Sequence, residues 1–144
     1  MTAPIADAAG RAAVTQVTMI EPMAGFESDT DFTLSLIDEA GLLQSLRSVR
    51  DPGLRFVISP AAVFFAEYRD SLQPVITTPV AEALHTAADP AAQQLFVLLT
   101  VGSSLADTTA NLRAPLVVDR DTGRAIQVIL DDPELPLRHP LPAA

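Results

Sequence analysis

Apolar and polar residues alternate along this chain in short runs, cut at close intervals by proline, glycine and aspartate, and that pattern constrains the fold more than any single motif. Val14 to Ile20 (VTQVTMI) alternates and holds two β-branched Thr, the pattern of a half-buried strand. Phe32 to Ile37 (FTLSLI) alternates again, with Phe32, Leu34 and Leu36 on one face. Leu42 to Val49 has spacing compatible with a short helix, but its position between strands favours a strand. Leu54 to Ser59 (LRFVIS) is a further strand, ended by Pro60. Gln94 to Val101 (QLFVLLTV) is continuously apolar and is expected to be the central, most buried strand. Thr108 to Val118 and Arg124 to Leu130 are β-rich and flank a hairpin loop, Asp119 to Gly123.

The punctuation is equally regular. Pro22 and Gly25 mark a turn, Asp51-Pro52-Gly53 another, and Asp131-Asp132-Pro133 stops the last strand. Pro79 to His85 is the one helix expected, with Pro79 in its first turn. The tail from Glu134 to Ala144 contains Pro136, Pro140 and Pro142 and is expected to lack regular structure. Strands spaced by about 10–15 residues with a single helix argue against a βαβ sheet. The expected fold is all-β: a small antiparallel β-barrel-like domain with one short helix, over residues 14–141, after a flexible N-terminal tail at 1–13. A chain of 144 residues has room for one such domain. No segment reads as an export signal or membrane span, so a soluble, cytoplasmic protein is expected.

Charge and chemistry narrow the function. Nine Lys plus Arg stand against 18 Asp plus Glu, a net charge of −9 at pH 7. Such a chain repels phosphates and attracts basic partners, so no direct nucleic-acid binding is expected. The absence of Cys removes disulfides, thiolate metal sites and a Cys nucleophile. The two His, His85 and His139, form no paired metal motif and read as a helix end and a solvated tail residue. No cofactor or metal site is expected. Asp121-Thr122-Gly123 matches the core of the aspartic-protease motif. However, Arg120 precedes it where an apolar run is wanted, and Arg124 follows where a small residue is wanted. A hairpin tip, with Asp opening the turn and Gly at positive φ, is the reading favoured over a hydrolase.

Two places suit contact with another protein. Phe65, Glu67, Tyr68 and Asp70 combine aromatic rings with carboxylates over six residues, the composition of a surface that grips a basic partner. If this stretch is a strand, Phe64 and Phe65 face opposite sides. Asn111, just before an apolar strand, either shapes its own backbone or touches a partner.

The ordered segments resemble the flagellar assembly factor FliW family. Glu21 to Glu27 (EPMAGFE) is similar to that family's Pro-x-Gly-x-Pro-Gly-Phe-Glu turn, with Met23-Ala24 departing from it. Leu43-Gln44-Ser45-Leu46, Phe56 to Pro60 and Phe65 to Tyr68 match successive segments. The most distinctive are Thr109 to Val118 (TANLRAPLVV) and Gln127 to Asp132 (QVILDD), and Arg138 to Leu141 resembles the family's ending. Arg69 stands where the family often has an acidic residue. The resemblance implies a small β-barrel that is not an enzyme and acts as a monomer. It implies two partners: flagellin, held in the cytoplasm before export, and CsrA, the RNA-binding repressor of flagellin translation. Flagellin export then frees the factor to antagonise CsrA, a coupling between binding equilibria. The alternatives are the hydrolase built on Asp121 and a β-domain chaperone or structural subunit that has no CsrA partner.

Overall fold

The computed structural model describes residues 14–142 except Ala24, so the tail expected at 1–13 lies outside the described residues. Eight strands and two helices follow in the order β1 Val14–Met19, β2 Asp31–Leu36, β3 Gln44–Ser48, β4 Arg55–Pro60, α1 Ala61–Phe64, α2 Ala66–Leu84, β5 Gln93–Thr100, β6 Thr109–Asp119, β7 Arg124–Gln127 and β8 His139–Pro140. Strands β1 to β5 pair antiparallel in sequence order, β5 pairs β6, and β6 pairs β7. β7 then pairs parallel to β1 through Thr18↔Arg124 and Met19↔Ala125, closing seven strands into a barrel. The mostly β, barrel-like expectation holds, with one parallel seam in an otherwise antiparallel sheet.

Alternation explains the interior. Val17 and Met19 of β1, Phe32 and Leu34 of β2, Leu46 of β3 and Ile58 of β4 point inward and are buried. Phe96 of β5, Leu116 and Val118 of β6 and Ala125 of β7 complete this core. The neighbours of that second group, Leu95, Val97, Val117 and Ile126, belong instead to a second core with Ile76, Val80 and Leu84 of α2. Strands β5 and β6 are therefore buried on both faces, one by the barrel and one by the helix. That is why Leu95 to Leu99 and Ala114 to Val118 run apolar without a polar alternate, although the sheet around them is antiparallel.

Four expectations need correction. The helix is 19 residues long, and Pro79 to His85 is only its C-terminal part. Phe65 to Tyr68 is not a strand: Phe65 is the hinge between α1 and α2, with φ −138° and ψ 53°, and Tyr68 lies in the first turn of α2. Burial peaks on β6, where Ala114 to Asp119 are all buried, rather than on Leu95 to Val101, whose last residue is 56% exposed. The proline-rich tail also gains some order, since His139 and Pro140 pair with Ala110 and Thr109 of β6.

Helix α2 ends where His85 turns left-handed, at φ 57° and ψ 47°. Thr86 N donates to Ala81 O at 3.0 Å, a Schellman-type close. Arg124 of β7 donates to Leu84 O at 2.8 Å, placing a cation at the helix C-terminus. The Asp119–Gly123 loop is a hairpin tip. Buried Asp119 accepts from Thr122 N at 3.0 Å and Thr122 Oγ1 at 2.7 Å, while Asp121 is exposed. Gly123, at φ +75°, accepts from Thr18 N at 2.9 Å, and a Cβ there would stand 2.6 Å from Gln16 O.

The packing gives three expected outcomes. Leu116→Ala should lower the unfolding free energy by about 2–5 kcal/mol, while Leu98→Ala, at a half-buried position of the same core, should cost clearly less; denaturant titration of both checks it, and equal losses contradict the deeper burial of β6. Gly123→Ala should destabilise by at least about 1 kcal/mol, because it combines a strained φ with a clash against β1. Asp121→Asn, a few ångströms of chain away, should melt at the wild-type temperature.

Candidate functional site: an acidic groove beside the β6 register jump

Strand β6 changes register against β5. Phe96 faces Leu116 and Leu98 faces Asn111, so Val97 alone spans the four residues Leu112 to Pro115. The surplus residues form a bulge, and Pro115 has no N–H to give to a ladder there. Asn111 Oδ1 accepts from Arg113 N at 2.9 Å and holds the start of the bulge. Asn111 thus shapes its own backbone, the first of the two roles open to it, and is half-buried.

Two elements satisfy what the bulge leaves unpaired. From α2, Tyr68 donates its hydroxyl to Leu112 O at 2.7 Å. Burial pushes the Tyr68 phenol well above its usual pKa, so it stays a donor at any physiological pH. From the C-terminal segment, Pro136 O accepts from Leu112 N at 3.1 Å. The Arg113 guanidinium donates to Leu135 O at 2.9 Å and Pro133 O at 3.1 Å. Leu130 N returns a bond to Arg113 O at 2.8 Å. The segment is strapped across the outside of the barrel by its carbonyls, which suits a proline-rich stretch with few N–H groups.

Between α2 and this strap lies a groove of about 670 Å³. Glu67, Tyr68, Ser71 and Leu72 form its helix wall, Leu112 its floor, and residues 130–139 of the strap its other wall. Leu72, Leu130 and Leu135 supply apolar surface, while Glu67, Asp132 and Glu134 bring carboxylates from both walls; no Arg lines it. Phe65 sits beneath the same region, 9% exposed, with its ring edge-to-face against His139 at 5.4 Å. His139 accordingly packs on an aromatic ring as well as meeting solvent.

Of the residues singled out in the sequence, Phe65, Glu67, Tyr68 and Asn111 converge here, Phe65 and Asn111 as supports and Glu67 and Tyr68 as lining. Asp70 does not line the groove: it is exposed and accepts from Arg69 Nε at 2.7 Å. Sequence reasoning missed Leu72, Asp132 and Glu134. The acidic run around Asp131 was visible as a strand stop and as part of a family-like segment, but not as a lining. Among the described residues, no group of three or more His, Asp or Glu is placed to hold a metal ion, and no helix is long and apolar enough to cross a membrane. Chemically, the groove can seat an apolar side chain and pair with cations around it.

Comparison with known proteins assigns the family. The family described as FliW protein matches residues 7–141. A flagellar assembly factor FliW of Bacillus pumilus is 34% identical over 120 residues, covering 83% of this chain and 80% of that protein. One from Clostridioides difficile is 26% identical over 126 residues, covering 88% of this chain and 93% of that protein. A crystal structure of the flagellar assembly factor FliW superimposes with a TM-score of 0.71 at 28% identity, covering 89% of this chain and 86% of that one. These relatives are named as assembly factors rather than enzymes, and the chain belongs to the FliW family of flagellar assembly factors.

Proposed function

We propose that this chain acts in the cytoplasm as a monomeric protein-binding regulator, holding flagellin before export and, when free, binding and antagonising the repressor CsrA. The observation that carries the CsrA half is the groove: apolar side chains between carboxylates suit a partner that must present basic surface to RNA. Tyr68 and Leu72 supply area that loses water on contact, and Glu67 and Glu134 steer the approach. Phe65 and Asn111 contribute by holding α2 and the bulge in place. Asp70, outside the groove, adds only to the long-range field. Family membership supports the flagellin half, with no particular surface favoured for it. No observation favours a hydrolase at Asp121, whose side chain stands exposed at a hairpin tip.

The test is kinetic. Glu67→Lys combined with Glu134→Lys should slow CsrA association by about tenfold at low salt, and the deficit should fade near 0.5 M as screening shortens the reach of exposed charge. Leu72→Ala should leave association unchanged and speed dissociation by about tenfold at both salt concentrations. Wild-type rates in both variants would place CsrA elsewhere, and failure to capture either CsrA or flagellin from a motile cell's lysate would sink the reading as a whole. The protein alone should leave RNA unshifted in a gel at physiological salt, because its net charge of −9 opposes phosphate; a salt-sensitive shift without CsrA contradicts the proposal.

A further inference from the structure

The opposite flank of α2 carries the opposite charge. A cleft of about 320 Å³ opens between the first turns of α2, the β4–α1 junction and the start of β5. Arg69, Gln73, Gln93, Gln94 and Arg120 line it, and no Asp or Glu is among its lining residues. In a chain with twice as many acidic as basic side chains this lining stands out, with Arg69 paired to Asp70 and Arg120 unpaired.

The polar groups in the cleft are incompletely used. Arg69 donates Nε to Asp70 at 2.7 Å, which leaves the two terminal nitrogens of its guanidinium for another acceptor. Arg120 is fixed by its backbone N–H, which donates to Ala92 O at 2.8 Å, while its exposed side chain has no hydrogen-bond or ion-pair partner among the described residues. Arg47, Arg113 and Arg124, by contrast, are spent on backbone carbonyls. Gln93 is 4% exposed; its Nε2 donates to Thr77 O at 2.9 Å, and its Oε1 is buried with no donor. A buried acceptor without a donor is costly to keep.

We propose that this cleft is a docking site for an acidic segment of a partner protein, seating one Asp or Glu side chain and its adjoining peptide group. A guanidinium pairs with a carboxylate through two parallel N–H bonds, and two guanidinia on one cleft can share the two oxygens. The peptide next to that carboxylate brings an N–H and a C=O, which the half-buried Gln94 amide on the lining can meet. A volume of about 320 Å³ is at the small end for ligand sites, room for a side chain and a peptide unit rather than for a cofactor. The protein's net charge opposes the approach of an acidic segment, but screening confines that repulsion to about 8 Å at physiological ionic strength, so recognition is set by these short-range pairs. The site lies on the other side of α2 from the acidic groove and does not depend on CsrA binding there.

The test is an NMR titration of nitrogen-15-labelled full-length protein with a blocked Glu-Gly-Glu-Gly peptide. The side-chain amide signals of Gln73, Gln93 and Gln94 and the Arg120 Nε–H should shift and saturate. Arg120→Gln and Arg69→Gln should each weaken the binding by about tenfold, as expected for loss of one charge-assisted pair, with thermal melts unchanged. A Gln-Gly-Gln-Gly peptide should produce no shifts. The proposal is overturned if the Gln peptide shifts the same signals, if the shifts fall in the acidic groove or nowhere, or if free glutamate binds as tightly as the peptide, which would make the cleft a metabolite site.

Discussion

Everything on one side of this barrel depends on the register jump in β6. A strand that pairs β5 at both ends but inserts three surplus residues between them must leave backbone groups unpaired in the middle. Those groups sit over the second hydrophobic core, where water is a poor substitute partner. Tyr68 answers one carbonyl and the C-terminal strap answers the neighbouring N–H, so the helix and the strap are each drawn to the same few residues. The groove is the space that remains between two elements recruited for the same structural debt. Its two acidic walls come from parts of the chain more than sixty residues apart, Glu67 and Glu134, and neither alone makes a surface.

The strands were legible because one physical rule, alternation over a barrel wall, governs them. β1, β2, β3 and β4 fall within a residue or two of where their patterns put them. β5 and β6 were legible as strands, but their relative burial was not, since an apolar run does not say what covers its second face. Helix α2 was largely illegible. Pro74 and Pro79 lie inside it, and Val75, Ile76, Thr77, Thr78 and Val80 are β-branched residues of low helix propensity. It is a helix because Ile76, Val80 and Leu84 fall on one side over β5 and β6, a tertiary reward that local statistics do not contain. The site was half legible for the same reason. Glu67 and Tyr68 could be singled out by composition, whereas Asp132 and Glu134 are placed by a guanidinium reaching carbonyls some twenty residues away.

The cations are used with economy. All nine basic residues are arginine, and several fasten loops through carbonyl oxygens. Arg47 holds Pro52 O in the β3–β4 turn at 2.7 Å, Arg113 holds the strap, and Arg124 closes α2. A planar fork with five donors serves that purpose better than an ammonium would. The acidity itself comes from composition, 18 carboxylates against nine cations, and the fastened guanidinia have fewer donors left to offer a partner.

The parallel seam between β1 and β7 has a kinetic side. It joins Thr18 to Arg124, so nearly the whole described chain must be gathered before the first of its contacts forms. The β1–β5 meander and the β6–β7 hairpin are local by comparison and carry little closure entropy. Until the seam forms, β1 and β7 present bare edges of the kind that pair with other chains. Closing the seam therefore also buries the two edges most open to misassociation, and the bare Cα of Gly123 is what lets the hairpin come close enough to β1 for that.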